Sequence, residues 1–519
     1  MRLHVGIIDE SPGWRSLLLQ EGISFSVITE AISVDAFSAV IAGRNITSQS
    51  VDWIRSYLSD GGSVLCTAGC YTQLTGQVSE QRFVKYVYPQ PKTIFRKTEI
   101  IDLMKECRIP EGANELLSDS NRPSVFVGTF GKGYLIVLPF DAGELMLDQR
   151  VATKSFYARR SRLPFEQVSS VSKNGIRQLV SQSLEVLHHK RGLPYVHCWY
   201  FPHDAKNIFA LRIDTDRGSR DEIRNLYGLL SGATGRKISA SWFVDVKSQK
   251  HWLDEYASME GQEIALHCYE HKRYEEYRSA DEDIRIASDI MKKVSIHAKG
   301  FAAPYGSWNA EVGKAIETHG FDYSSEFSYD YDSIPSFPYV DERFSDVLQV
   351  PVHPVSIGSL RRQGCSEQEM KQYFHHILEK KISASEPLFF YHHPKDHHES
   401  VLEEIFGWIQ KNGIQNMTME AYARWWKKRQ TAKNEIHLNG ASLTVKTEKR
   451  FEDVWFHITR PEGTETFTIP NDTISLDALR WKSLPQFFNF SEDMLRARSF
   501  NPWISVIRIQ DKLHNLFRG

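Results

Sequence analysis

The sequence predicts an α/β protein: a distorted (β/α) barrel, preceded by another α/β domain and followed by a small antiparallel β module. Three observations carry that expectation. Short β-branched runs alternate with amphipathic stretches over residues 1–150 and again over 203–430, the pattern of parallel strands covered by helices. Two runs of the second stretch end in chemistry-bearing side chains: Phe209 to Asp216 closes on Asp214-Thr-Asp216, and a later run leads into His267-Cys-Tyr-Glu-His271. Beyond residue 436 the helical period gives way to alternation around Asn439-Gly440, a two-residue hairpin signal.

In residues 1–150, Arg2 to Ile8, Ser24 to Ile28, Ala39 to Ala42, Ser63 to Thr67 and Gly133 to Pro139 read as strands. Ser50 to Ser59 reads as a helix stopped by Gly61-Gly62. This alternation resembles the flavodoxin-like domain of class I glutamine amidotransferases. That activity needs a nucleophilic cysteine on a strand-to-helix elbow and a downstream histidine. Cys66-Thr-Ala-Gly-Cys70 is the only candidate elbow and no histidine lies between His4 and His188, so the domain is expected to be non-catalytic with inert thiols.

Residues 151–202 read as a connector with a helix over Gly175 to His188, stopped by Lys190-Arg-Gly-Leu-Pro194. In 203–430 the strands are Ile208 to Ile213, Ile238 to Val244, Glu263 to His267, Val347 to Val352 and Leu388 to His392. Helices fall near Arg220 to Leu230, Ser279 to Val294 and Ala310 to His319. Residues 436–519 form the β-rich module, with hairpins over Ile436 to Val445 and Phe451 to Ile469, the latter turning at Pro461-Glu-Gly463. Trp503 to Phe517 is expected in its core.

At 519 residues the chain exceeds a single core. A net charge of −2 gives no reason to expect a nucleic-acid partner. No run of about 18 or more apolar residues occurs, so no transmembrane segment is expected. Trp425-Trp-Lys-Lys-Arg-Gln430 admits a peripheral membrane contact but reads first as a helix packing on the barrel. Met1 to Glu10 places acids where a secretory signal would continue its apolar core, so a cytoplasmic location is expected. Six scattered cysteines suit reduced thiols.

Side chains alternate faces along an extended strand, so Arg212, Asp214 and Asp216 point one way and Leu211, Ile213 and Thr215 the other. His267 and His271, one helical turn apart, can join one carboxylate as three ligands of a divalent ion with a position left open, the mark of a catalytic site. Zinc is the default for such a set; cobalt, nickel or iron would fit the same ligands. Downstream, Gly300-Phe-Ala-Ala-Pro-Tyr-Gly-Ser-Trp-Asn309 is a Gly/Pro-bounded loop, and Phe389-Phe-Tyr-His-His-Pro394 ends an aromatic strand in imidazoles.

With these segments in this order, residues 203–430 resemble the polysaccharide deacetylases of the NodB-homology family, carbohydrate esterase family 4. The resemblance implies a NodB-type barrel in which Asp216, His267 and His271 hold the metal and Asp214 is the general base. It also implies that the Tyr305 backbone N–H meets the oxyanion and that a histidine of His392-His393 is the general acid. Strand alternation admits only one of the two, and His393, which precedes Pro394 as in the family's last motif, is favoured.

The chain departs from the family twice. Ala302 stands where the family has an arginine that orients the base, and we read Arg212, on the face of Asp214, as its replacement. The acidic, aromatic stretch 322–338 stands where the family has a tryptophan-containing motif and lacks that tryptophan. With Trp308 it is a candidate sugar-stacking surface, and His353 is a candidate substrate contact. The implied function is metal-dependent removal of an N-acetyl group from an amino sugar of a glycan or glycan precursor, with an intermediate of surface-polysaccharide synthesis as the expected substrate. The alternatives are a non-catalytic glycan-binding or scaffold protein on a degenerate barrel, and a metal-dependent amidase acting on a non-sugar substrate.

Overall fold

A computed structural model describes residues 1–44, 46–159, 162–233, 237–485, 490–499, 501 and 504. Its centre is a parallel sheet in the spatial order Leu348–Gln349, Tyr323–Ser324, Gly300–Phe301, Glu263–Cys268, Ala240–Asp245, Ile208–Asp214, Leu388–His392. Gln415–Asn416 pairs with the start of Ile208–Asp214. The sheet is a half-barrel whose open edges meet where the His353 N–H donates to the Phe389 carbonyl at 2.8 Å.

The pleat of Ile208–Asp214 sorts its residues between two cores. Phe209, Leu211 and Ile213 pack outward with Ile223 and Leu226 of the helix Arg220–Gly228. Ile208 and Ala210 pack inward with Phe243, Ala265, Tyr323, Phe389 and Tyr391. Burying each large apolar side chain contributes roughly 1.5–3 kcal/mol, and a one-residue slip would reverse every one of them, so the register is held firmly. The same parity carries Arg212 and Asp214 to the barrel interior.

Four strands of this sheet are only two residues long. Leu348–Gln349 replaces the longer expected Val347 to Val352 because Pro351 has no N–H to give to a ladder. Gly300 is required by a crossing: a Cβ there would lie 2.3 Å from the Tyr323 ring and hydroxyl. Tyr323 instead passes the strand and donates to Glu263 at 2.5 Å.

In the N-terminal unit, Phe25–Val27, Val5–Ile8, Ala39–Ala42, Ser63–Thr67 and Gly133–Leu138 form a parallel sheet. The sheet then continues antiparallel through Pro123–Phe130, Glu115–Ser118, Ser79–Tyr88 and Ile101–Pro110, an extension outside the sequence expectation. Cys66 and Cys70 are buried free thiols, and burial together with the neighbouring Cys70 pushes the Cys66 thiol up, the reverse of nucleophile activation.

Residues 151–202 are built into both neighbours. The helix Lys173–Lys190 packs Ile176, Leu179, Leu184 and Leu187 on the N-terminal core. The hairpin of Val151–Ser155 and Phe165–Ser169 reaches a barrel loop through the Ser169 N–H, which donates to the Phe327 carbonyl at 3.0 Å. Tyr195–Cys198 pairs with Phe456–Arg460 of the C-terminal module.

In that module Asn439 pairs with Ser442, so the first turn is Gly440-Ala441, with Gly440 at φ 59°, one residue later than expected. Phe456–Arg460 and Thr464–Thr468 form the second hairpin as expected. The expected core segment Trp503 to Phe517 lies, apart from Ile504, outside the described residues. Trp425 and Trp426 are buried. Their helix therefore packs on the protein, and its rings do not offer the membrane contact that the sequence admitted. No helix among the described residues is long and apolar enough to cross a membrane.

Candidate active site

Asp214 is the last residue of its strand and faces the barrel mouth. Both its oxygens accept from Arg212, Nε to Oδ1 at 2.6 Å and a terminal nitrogen to Oδ2 at 2.7 Å. Arg212 is itself buried, donates to the Ser325 carbonyl at 2.5 Å, and lies 5.2 Å from the Phe243 ring centroid. Burial opposes ionisation of Asp214, but the guanidinium outweighs it and holds the carboxyl below its usual range. Arg212 thus holds Asp214 ionised and fixes the direction of both its oxygens.

Asp216, His267 and His271 each offer one ligand atom, and these atoms lie within 4.8 Å of one another. His267 Nδ1–H donates to the Ala302 carbonyl at 2.6 Å, which fixes the tautomer and leaves the lone pair of Nε2 free. That Nε2 is buried and has no hydrogen-bond partner. His271 Nε2 is 4.0 Å from Asp216 Oδ2. Burial, with the neighbouring His267, lowers His271 to about 4, so its ring is neutral at physiological pH.

The two strand-end histidines part as alternation requires. His393 places Nε2 3.2 Å from Asp216 Oδ1 and Nδ1 3.4 Å from Asp396 Oδ2. Burial disfavours its charged form, yet the Asp216 and Asp396 carboxylates raise it to about 9. His392 is buried without a partner on Nδ1, and burial lowers it to about 3. Of the pair, His393 enters the site and His392 does not.

Tyr305 has φ 60° and ψ 14°, a strained backbone for a residue with a side chain. Its N–H has no acceptor among the described residues, and its ring is 46% exposed, 4.7 Å from that of His271. Gly306 has φ 58°, and a Cβ there would lie 2.1 Å from the Phe327 ring. Glu326 stiffens the same loop by accepting the Ala303 N–H at 3.0 Å.

Residues 213–324 match the Polysaccharide deacetylase family model. The matched segment holds Asp214, Asp216, His267, His271 and Tyr305, while Arg212 lies one residue before it and His393 beyond it. Among solved structures, a Mycobacterium smegmatis protein provisionally described as a polysaccharide deacetylase is similar at 16% identity and TM-score 0.38, covering 44% of this chain and 93% of that one. A peptidoglycan deacetylase from Bacillus subtilis is similar at 15% and 0.30, covering 44% and 95%. A CE4 family pseudoenzyme from Bacillus anthracis is similar at 14% and 0.31, covering 42% and 66%. No curated protein matches the chain.

Around this deacetylase-like segment the structure adds groups that the sequence did not signal. Asp245 closes the strand Ala240–Asp245, is buried with Oδ1 unpartnered, and faces His267 and Asp216. An acid ending the apolar run Trp242-Phe-Val-Asp245 was its only trace. Asp396 is 1% exposed and joins His393 to Arg361, and Lys395 donates to Asp216 Oδ2 at 2.5 Å. Both come from a segment with the composition of a solvated loop.

Other expectations are corrected. Trp308 is buried edge-on to Tyr329 at 4.8 Å, and Tyr329 and Tyr331 pack against Lys173 and Lys154 of the preceding segment. These rings fill an internal contact and are not a sugar platform. His353 points to the outer side of the barrel, bound to Asp332 at 2.9 Å and to the Tyr373 hydroxyl at 2.8 Å, so it is structural.

Proposed function

We propose that the barrel hydrolyses the N-acetyl group of an amino sugar in a glycan or glycan precursor, with a divalent metal held by Asp216, His267 and His271. The unpartnered His267 Nε2 carries the reading. A buried polar atom left unmatched costs about 1–3 kcal/mol, and here it faces a carboxylate and the imidazole of His271, a donor set suited to zinc. When bound, the ion would supply Lewis acidity toward water and the acetyl carbonyl.

The remaining work falls to the chain. Asp214, kept ionised and oriented by Arg212, accepts a proton from water as the water oxygen adds to the acetyl carbon. The Tyr305 N–H donates to the oxyanion that forms. His393 gives its Nε2 proton to the nitrogen as the carbon–nitrogen bond breaks, and the products are acetate and the free amino sugar. The polysaccharide deacetylase match over residues 213–324 supports this assignment.

The test is acetate release from N-acetylated monosaccharides, nucleotide sugars and oligosaccharides by the metal-supplemented chain. Release that is lost on chelation and restored by metal is expected. No acetate from any of them would sink the proposal, and a different acyl product would favour an amidase.

One observation favours a glycan-binding or scaffold barrel instead: the Lys395 ammonium lies on Asp216, where a built-in cation can stand in for the metal's charge. Lys395→Met separates the readings by calorimetry. In the hydrolase wild type binds a divalent ion and loss of the competing ammonium tightens that binding; wild type that binds no metal supports a scaffold in which Lys395 stands in for the ion.

A further inference from the structure

We propose that the group recognised beside the acetamide is an anion, so that the substrate is an N-acetylated amino sugar bearing a phosphate or a carboxylate. This rests on the hydrolase reading above. The chain as a whole is nearly neutral, at −2, yet cations gather at the mouth of the barrel. Arg217 directly follows Asp216, is exposed at φ 59°, and acts on His271. Arg273 is exposed two residues past His271, with its guanidinium 5.1 Å from the centroid of the Tyr305 ring. Arg361 and Arg362 end the helix Ile357–Arg362 and are both exposed, and Arg361 bonds Asp396 at 3.1 Å.

Nearby carboxylates answer only part of this charge. Asp214 is matched by Arg212, Asp216 by Lys395 and Asp396 by Arg361. Glu222 is taken by its helix cap and by His397, and Glu270 by Lys247 and Lys272. Asp245 faces inward to His267 and Asp216. Glu166, from the hairpin strand Phe165–Ser169, is a carboxyl on which Arg362 and Arg273 both act. Arg217 has no carboxylate partner among the described residues. The rim therefore carries exposed guanidinium groups in excess.

A neutral sugar has little to offer such a rim. Its hydroxyls want paired donors and acceptors and its ring faces want aromatic surfaces, and the exposed Tyr305 ring at the mouth already lies against Arg273. Guanidinium forks suit phosphate and carboxylate oxygens, and convergent positive charge speeds the arrival of an anion.

The test compares N-acetylglucosamine 1-phosphate, an N-acetylated oligosaccharide bearing uronate, and uncharged methyl N-acetylglucosaminide. Binding to the metal-loaded full chain is measured by calorimetry at low and high salt, and acetate is assayed in the same samples. An anionic probe should bind about a hundred-fold more tightly than the methyl glycoside, with the preference shrinking in salt. The Arg217→Ala/Arg273→Ala double variant should lose about ten-fold per arginine, the size of one charge-assisted hydrogen bond. Preference for the phosphate would identify a phosphorylated precursor, and preference for the uronate an acidic polymer; either supports the inference. Equal binding of charged and uncharged sugars overturns it, as does a preference undiminished in the double variant. Acetate from the uncharged sugar without any charge preference sinks the substrate class and keeps the hydrolase. Arginine-dependent anion binding without acetate does the opposite.

Discussion

Arg212→Met removes one charge from the barrel interior while keeping much of the apolar stem. Arg212 is 1% exposed, makes two parallel bonds to Asp214 at 2.6 and 2.7 Å, and lies 5.2 and 5.4 Å from the Phe243 and Phe327 ring centroids. Breaking a buried ion pair by deleting one partner costs about 3–5 kcal/mol. If the fold escapes that cost by protonating Asp214, the carboxyl rises by about two units or more, at 1.36 kcal/mol per unit. The assay is kcat/KM for acetate release against pH. Asp214 must be ionised to act as base, so a raised carboxyl moves the acid limb of the profile to higher pH. Stability gives an independent sign: depression of Asp214 in the native chain stabilises above the unfolded carboxylate range and is lost as pH falls. The urea-stability gap between wild type and variant should therefore narrow in acid. Arg212→Lys keeps the charge but not the two-bond fork, and should fall between them. A folded Arg212→Met enzyme with the wild-type acid limb and turnover would refute the assignment.

Two further outcomes follow from neighbouring contacts. His393→Gln should lower kcat on an N-acetyl sugar by about 10²–10⁴ while sparing an activated aryl acetate, whose leaving group needs no proton; equal loss on both would contradict its role as acid. Asp396→Asn should move the basic limb to lower pH, because His393 loses one of the carboxylates that keep it protonated. Away from the site, burial pushes Glu263 up to about 7 from an ordinary 4.5, although it accepts from Ser241, Tyr323 and the Glu420 N–H. An acid raised in the fold stabilises below its unfolded value and loses that contribution as pH climbs through the folded one. Wild type should thus lose up to ~3 kcal/mol between about pH 4.5 and 7. Glu263→Gln, which cannot titrate, should not, and parallel slopes would contradict this.

The parts of the fold that were legible are those where one strand carries its own pattern. Ile208–Asp214 and Leu388–His392 bury opposite parities in two cores, and Ala39–Ala42 is apolar throughout. In the antiparallel extension, Ser79–Tyr88 buries only Val84 and Val87, so no apolar alternation marks it. The two-residue barrel strands exist only through their neighbours. At the site, Arg212 and Asp214 were placed by strand parity, a local rule. Asp216 lies past the strand end, and His267 sits in the strand Glu263–Cys268 with His271 in the loop beyond, so the helical turn expected for the two histidines does not form. Asp245, Lys395 and Asp396 gain their meaning from contacts across the chain. The 322–338 rings were misread because an acidic, aromatic composition suits a sugar cleft and a domain contact equally, and Lys154 and Lys173 decide for the latter.

Metal content and acetate release, measured together on wild type and Asp214→Asn, test the central claim most directly. Asp216, His267 and His271 are untouched by the substitution, so both proteins should hold about one divalent ion per chain. Wild type alone should release acetate, at a rate about a thousand-fold above the variant. Metal-loaded wild type that releases no more acetate than Asp214→Asn would contradict the account, and the barrel would then be a binding scaffold.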